Sequence, residues 1–353
     1  MSPARFLKKF LAVAAVLLAA CCLLVFVFDP FFHYHRPWFG LKAVLSDKEY
    51  QCVGTLRNFD YDSLIVGSSV TENNNNGWYD SLFGCRAIKA VRSYGATADL
   101  CWMLDTAEEN HSLRYVFYNI DPPSLWADPH TTFASSGCPM YLYDRNPLND
   151  YKYLLNKDVL LEKIPYMILK SLQGYDENES YNWWQSKTFS EKDMLSRYER
   201  PQNIVSMQPE NAKQDALDAN IKLLTDQVAA HPDTQYYFFF PPYSVLWWDA
   251  SIRNGERDFT VYNERSCMKA LLAYPNVRVF CFQMQDSVTD LNTYMDVLHF
   301  SPEINRQMAE DMAAGKMEVT AATVDETADA LKACTEKWEK EVIPLYEDRF
   351  PDP

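Results

Sequence analysis

The stretch Asp62-Ser63-Leu64-Ile65-Val66-Gly67-Ser68-Ser69 decides the fold. A short apolar run that leads directly into glycine and serine is typical of a buried strand of a parallel sheet that ends in a turn. Because glycine lets the chain turn sharply, we expect one of the two serine side chains to be exposed at the carboxyl edge of the sheet.

Four further strands and four helices are predicted downstream. The strand candidates are residues 87–91, 115–120, 235–240 and 277–282. The helix candidates are residues 96–110, 211–231 and 262–273, and a helix that opens at Ser301-Pro302 with serine as N-cap and proline at the first position. Apolar strands that alternate with helices predict an α/β domain of three layers, with a parallel sheet covered on both faces.

Polar residues follow three of these strands, and ligands of open parallel sheets bind at that edge. The three strand ends are Gly67-Ser68-Ser69, Asn119-Ile120-Asp121 and Pro241-Pro242-Tyr243. Asp296 and His299 lie in a later loop, just before the helix at Ser301. A serine at a strand end, with a histidine to take its proton and a carboxylate to orient that histidine, is the residue set of serine nucleophiles.

These motifs resemble the SGNH (GDSL-type) hydrolase-fold proteins, over roughly residues 60–310. In particular, the chain is similar to the membrane-anchored branch related to the teichoic-acid D-alanyl transfer protein and the alginate O-acetyltransferases. The family's opening motif is Gly-Asp-Ser or Gly-Ser-Ser, and its last serine is the nucleophile. In Gly67-Ser68-Ser69 the resemblance therefore implies that Ser69 is the nucleophile. It implies that His299 is the base and that Asp296 orients it.

The resemblance also implies oxyanion donors, and here the sequence departs from the family. Gly95, in Ser93-Tyr94-Gly95, matches the family's second glycine loosely. The third block of the hydrolases is Gly-x-Asn-Asp, whereas this chain has Tyr118-Asn119-Ile120-Asp121, so Asn119 is a candidate donor in a changed context. Tyr243 and Trp247 are candidate substrate contacts, since aromatic side chains serve binding as well as burial.

The N-terminus predicts a membrane anchor. Arg5, Lys8 and Lys9 precede an uncharged apolar run over residues 10–28, which is close to the length that crosses a bilayer as a helix. The positive-inside rule then places residues 29–353 outside the cytoplasm, with the cell membrane as the location. A cleaved signal peptide and a lipoprotein modified at Cys21 are the alternatives, but the apolar run continues past Cys21.

The remaining organisation follows from composition. We expect a connector over residues 29–60, the α/β domain over 61–315 with a helical, aromatic-rich insertion or lid over 126–210, and a C-terminal helix and tail over 316–353. The formal charge of −15 argues against nucleic acid as a partner. The seven cysteines beyond the anchor show no metal-ligand spacing and are expected to be mostly buried.

The resemblance implies that the protein transfers an acyl group, with acetyl as the first expectation, on a cell-surface glycan or similar polymer. The acyl group would come from an acylated donor or a multispanning membrane acyltransferase. Neither a metal nor an organic cofactor is implied. Two alternatives stay open: an esterase that uses water as acceptor, and a non-catalytic assembly protein of the cell envelope with the same fold.

Overall fold

The computed structural model describes residues 2–350. Met1 of the predicted N-terminal segment and residues 351–353 of the predicted tail lie outside the described residues. Within that range the chain forms two compact units, one of residues 2–60 with 133–180 and one of residues 61–132 with 181–350. The helices in chain order are α1 (Pro3–Phe28), α2 (Lys48–Asn58), α3 (Asn76–Phe83), α4 (Thr97–Glu108), α5 (Met140–Tyr143), α6 (Tyr151–Leu154), α7 (Ile164–Leu172), α8 (Glu191–Arg197), α9 (Gln214–Ala230), α10 (Val245–Arg253), α11 (Arg257–Leu271), α12 (Pro302–Ala314) and α13 (Val324–Lys337).

The first unit consists of helices and loops. Its α1 has 26 residues and is long and apolar enough to cross a membrane, and nearly all of its side chains are exposed. The helix ends at Asp29, whose buried carboxylate accepts hydrogen bonds from the backbone amides of His33, Tyr34 and His35. The hydroxyl of Tyr153 also donates to this carboxylate, at 2.7 Å. Asp29 therefore holds the end of α1 within the first unit.

The second unit is an α/β domain with one six-stranded sheet. Its strands are β1 (Ser63–Gly67), β2 (Ala87–Val91), β3 (Tyr115–Asn119), β4 (Gln235–Phe240), β5 (Val277–Cys281) and β6 (Glu318–Val319), in the order β2-β1-β3-β4-β5-β6. All strands pair in parallel except β6, which is antiparallel to β5. After β1 the chain adds β2 on one side of the sheet, and after β3 it adds β4 on the other side. The carboxyl ends of the neighbouring strands β1 and β3 therefore form the switch point where such sheets bind ligands.

Helices cover both faces of this sheet. On one face the ring of Phe117 packs against Tyr79 and Phe83 of α3, and α3 contacts α12. On the other face Tyr236 hydrogen-bonds Glu108 of α4 and the backbone of α9. Both faces of the strands are therefore buried, which explains why the parallel strands β1–β5 are mostly apolar, with Lys89 in β2 and Arg278 in β5 as the charged exceptions.

The predicted α/β class and the five predicted strands are confirmed. The sequence analysis did not predict β6, whose two residues are too few for a periodic pattern, or α10, which follows Pro241-Pro242. The packing groups the chain differently from the predicted segments. Residues 29–60 include α2, whose central side chains are buried, and they form one unit with residues 133–180. Residues 181–210 pack with the α/β domain.

The cysteines are mostly buried, as expected. Of the seven beyond α1, five are buried and two are partly exposed. The buried ones are Cys52, Cys85, Cys101, Cys267 and Cys281. They fill space in the core as small apolar side chains do.

Glu264 in α11 gives the stability of the second unit a predictable pH dependence. Its side chain is fully buried, with Gln283 as a hydrogen-bond donor, and burial raises its pKa from 4.5 to about 8. The folded state therefore retains a proton that the unfolded chain loses. The contribution of Glu264 is fully present below pH 4.5 and is lost as the pH rises toward about 8, by up to ~1.4 kcal/mol per pH unit.

We expect Glu264→Gln to remove this dependence, because the amide keeps the acceptor for Gln283 and does not ionise. Thermal unfolding of the full chain in detergent, measured at several values between about pH 5 and pH 8, should show a smaller pH-dependent decrease for the variant. Equal slopes for the two proteins would show that Glu264 is not protonated in the fold.

Candidate functional site

Ser69 lies at the carboxyl edge of the sheet, at the switch point. β1 ends at Gly67, and the chain passes through Ser68 into a 3₁₀ turn over Ser69–Thr71. A Cβ atom at position 67 would lie 2.2 Å from the hydroxyl of Thr71 and 2.9 Å from the Cβ of Asn119. Glycine is therefore required here by close packing, and not by the sharp turn that the sequence suggested.

His299 and Asp296 come from the loop between β5 and α12. The loop folds back on itself, with the amide of Met295 donating to the carbonyl of His299 at 2.9 Å. The amide and the hydroxyl of Ser244, after β4, both donate to the carbonyl of Val297. The loop is thus fixed both within itself and to the neighbouring strand end.

The structure brings Ser69, His299 and Asp296 into one hydrogen-bonded chain. The Oγ of Ser69 is 2.8 Å from Nε2 of His299. Nδ1 of His299 is 2.9 and 2.8 Å from the two carboxylate oxygens of Asp296. Because a carboxylate can only accept, it places the proton on Nδ1 and leaves Nε2 free to accept from the serine hydroxyl.

The carboxylate of Asp296 is itself held as an anion. Burial acts to raise its pKa, but hydrogen bonds from the ring and amide of His299 and from the amide of Leu298 outweigh burial and lower the pKa below its usual value. Asp296 therefore remains charged at neutral pH. This anion would stabilise a positively charged His299 ring after the ring has taken a proton from Ser69.

A tryptophan packs against this histidine. The ring of Trp183 meets the ring of His299 edge to face, with centroids 5.2 Å apart. The carbonyl oxygen of the Asn73 side chain accepts from the amides of Trp183 and Trp184, both at 3.2 Å. The sequence analysis did not assign Trp183 to the site, and the adjacent tryptophan pair at 183–184 was the only signal for it.

Asp121 joins the ends of three strands beneath Ser69. The side-chain amide of Asn119, in β3, donates to its carboxylate at 2.7 Å, and the hydroxyl of Tyr243, after β4, donates at 2.5 Å. The hydroxyl of Ser68, after β1, also hydrogen-bonds this carboxylate. Burial raises the pKa of Asp121, although these hydrogen bonds act in the opposite direction.

The two candidate oxyanion donors make other hydrogen bonds. Gly95 lies in the wall of the site, but its amide donates to the carbonyl of Arg92 at 3.2 Å. The side-chain amide of Asn119 is directed at Asp121. The backbone amides of Ser69 and Val70 begin a 3₁₀ turn, and the first amides of such a turn have no acceptor within it. These two amides are therefore further candidate oxyanion donors.

The two candidate substrate contacts lie at different depths. Tyr243 lines the site, although its hydroxyl is engaged by Asp121. Trp247 lies behind Tyr243, with ring centroids 5.2 Å apart, and packs against the hydrophobic core. Of the two, only Tyr243 faces the space beside Ser69.

A cavity of about 560 Å³ opens beside Ser69 and His299. It is bounded by the loop at Tyr94–Ala96, the segment from Pro123 to Asp128, and the loop that carries His299. Tyr94 is 92% exposed at its rim, and its φ of 54° lies in the left-handed region. All the residues of the wall belong to the second unit.

A comparison with models of known protein families found no match, and a comparison with curated proteins found none either.

We expect Asp121→Ala to lower the unfolding free energy by about 2 kcal/mol, because it removes the shared acceptor of three buried donors. Asp121→Asn should cost less, since its side-chain oxygen still accepts from Asn119 and Tyr243. Asp128→Ala is the matched control, because Asp128 is exposed and, among the residues that the structure describes, its carboxylate bonds His130 and no buried donor. Denaturant unfolding of the full chain would contradict the proposed role if Asp121→Ala and Asp128→Ala were equally stable.

Proposed function

We propose that the protein transfers an acyl group through a serine ester at Ser69. The observation that carries this proposal is the hydrogen-bonded chain from Ser69 through His299 to Asp296 at the edge of a cavity. A serine hydroxyl is a weak nucleophile until a base takes its proton, and the 2.8 Å contact puts such a base in place.

The reaction has two steps. The Oγ of Ser69 attacks the acyl carbonyl while its proton passes to Nε2 of His299. The bond to the leaving oxygen then breaks, and His299 returns the proton to that oxygen, which leaves an acyl ester on Ser69. In the second step His299 takes a proton from the acceptor hydroxyl, the acceptor attacks the ester, and Ser69 recovers its proton.

Backbone amides would stabilise the negative charge that develops on the acyl oxygen. The amides of Ser69 and Val70 are the candidates, because those of Gly95 and the Asn119 side chain are engaged elsewhere. A site with one fewer oxyanion donor is slower by about 10²–10³. The hydrogen bonds of Gly95 and Asn119 to other groups are the observation that favours the second candidate function, a non-catalytic assembly protein of the cell envelope.

The wider setting is part of the same proposal. The strand order, the Ser69 turn and the Asp296-x-x-His299 loop support an SGNH-like domain of the membrane-anchored branch. The basic residues at the N-terminal end of α1 favour a cytoplasmic N-terminus and an α/β domain outside the cell membrane. The acceptor would then be a cell-surface glycan or polymer, and the donor an acylated carrier or a multispanning acyltransferase. Use of water as acceptor would make the same site an esterase.

Labelling with a fluorophosphonate probe tests the proposal. Ser69→Ala should abolish labelling, because the probe reacts only with an activated serine. Ser68→Ala is the matched control and should keep most of the labelling, since Ser68 bonds Asp121 instead of His299. The reverse pattern, or labelling that survives in Ser69→Ala, would contradict the assignment.

Asp296 and His299 should act as one unit. Without His299 nothing takes the serine proton, whereas without Asp296 the base is present but poorly oriented, which in the serine-hydrolase template costs about 10⁴ in turnover. The double variant should therefore be little slower than His299→Ala alone. Rates of ester turnover that simply multiplied in the double variant would show that the two residues act independently.

A further inference from the structure

We propose that the cavity beside Ser69 binds an acyl chain of medium length, of about eight carbons, instead of an acetyl group. This inference rests on the proposed function and names the substrate class of the same site. Three observations carry it: the size of the cavity, the apolar character of its wall, and the hydrogen bonds that its polar side chains already make.

The cavity is much larger than an acetyl group. An acetyl group occupies roughly the space of two water molecules, ~60 Å³ at ~30 Å³ per water. The cavity of about 560 Å³ is therefore roughly nine times larger. An eight-carbon chain, at roughly the same volume per carbon, takes ~240 Å³ and leaves space for part of an acceptor.

Most of the exposed surface of the cavity wall is apolar. Its apolar side chains come from the turn after Ser69 and from the three segments that surround the cavity: Val70, Ala96, Pro123, Ala127, Val297 and Leu298. Such a wall gives a sugar ring few hydrogen-bond partners, whereas it gains free energy from each methylene that it removes from water.

Several polar residues of the wall already hydrogen-bond other groups of the protein. Ser68 and Tyr243 donate to Asp121, as described above. The hydroxyl of Thr132 donates to the buried carboxylate of Asp99 at 2.6 Å, and its amide donates to the same carboxylate. The hydrogen-bonding capacity of these groups is thus largely used within the protein, and it adds little polar character to the wall.

The polar part of the site lies at the reacting atoms and at the exposed rim. His299 is next to Ser69, where the ester oxygen has to be, and the side chain of Asp128, also in the wall, is 72% exposed to solvent. A hydroxyl-bearing acceptor fits this polar, open end, because its oxygen must reach Nε2 of His299. The acyl chain fits the apolar remainder.

The test is a series of p-nitrophenyl esters, from acetate through butyrate and hexanoate to octanoate, with the full chain in detergent and Ser69→Ala as the background. We expect kcat/KM to rise about fourfold for each added methylene, which corresponds to ~0.8 kcal/mol. Ala127→Leu fills part of the cavity and should shift the ratio of octanoate to acetate turnover toward acetate by at least about tenfold. Because the ratio is measured within one preparation, partial misfolding does not affect it.

Ala229→Leu is the control of equal size, since Ala229 is exposed on α9, away from the cavity wall. It should leave the octanoate-to-acetate ratio unchanged. If acetate is the best ester while Ser69 is labelled by the fluorophosphonate probe, the medium-chain inference is wrong and the proposed function stands. If no ester is turned over and Ser69 is not labelled, the proposed function fails and the inference fails with it.

Discussion

The carboxylate of Asp121 is the interaction on which the site depends, because it joins residues from the ends of three adjacent strands. Hydrogen bonds from Ser68, Asn119 and Tyr243 converge on it, so β1, β3 and β4 end in a fixed arrangement. Ser69 follows Ser68 directly, and its position is set by that arrangement. Burial raises the pKa of Asp121, because removing the charged carboxylate from water costs free energy. Such a cost is compatible with a carboxylate whose role is to position its neighbours.

The opposite side of the site is fixed by a different kind of contact. His299 is oriented by Asp296 from its own loop, while Trp183 packs against its ring from within the predicted insertion over residues 126–210. The loop is tied to the end of β4 through Ser244. The base is thus supported by its own loop, by the end of β4 and by Trp183, and its Nε2 lies 2.8 Å from the Oγ of the nucleophile.

The α/β class and the residues of the site could be predicted because both leave local signals. Continuous apolar runs mark strands that are buried on both faces, and Ser69, Asp296 and His299 stand in short motifs at predictable strand and helix ends. Each of these signals needs only a few neighbouring residues, so one sequence was enough.

The contacts between distant segments could not be predicted in this way. Nothing near Asp121 shows that the hydroxyl of Tyr243 donates to it, and nothing near Gly67 shows that Asn119 leaves no room for a Cβ atom. The grouping of residues 29–60 with 133–180 likewise depends on packing across a long separation in sequence. Such contacts depend on the tertiary fold, which local propensity does not contain.

The order of the site residues along the chain has a consequence for biosynthesis. Ser69 and His299 are 230 positions apart, and the strands β2, β3, β4 and β5 lie between them. Because a chain is synthesised from its N-terminus, Ser69 is made long before His299. In the proposed enzyme the serine stays unreactive throughout synthesis and translocation, and it becomes a nucleophile only when the sheet has closed around the last loop.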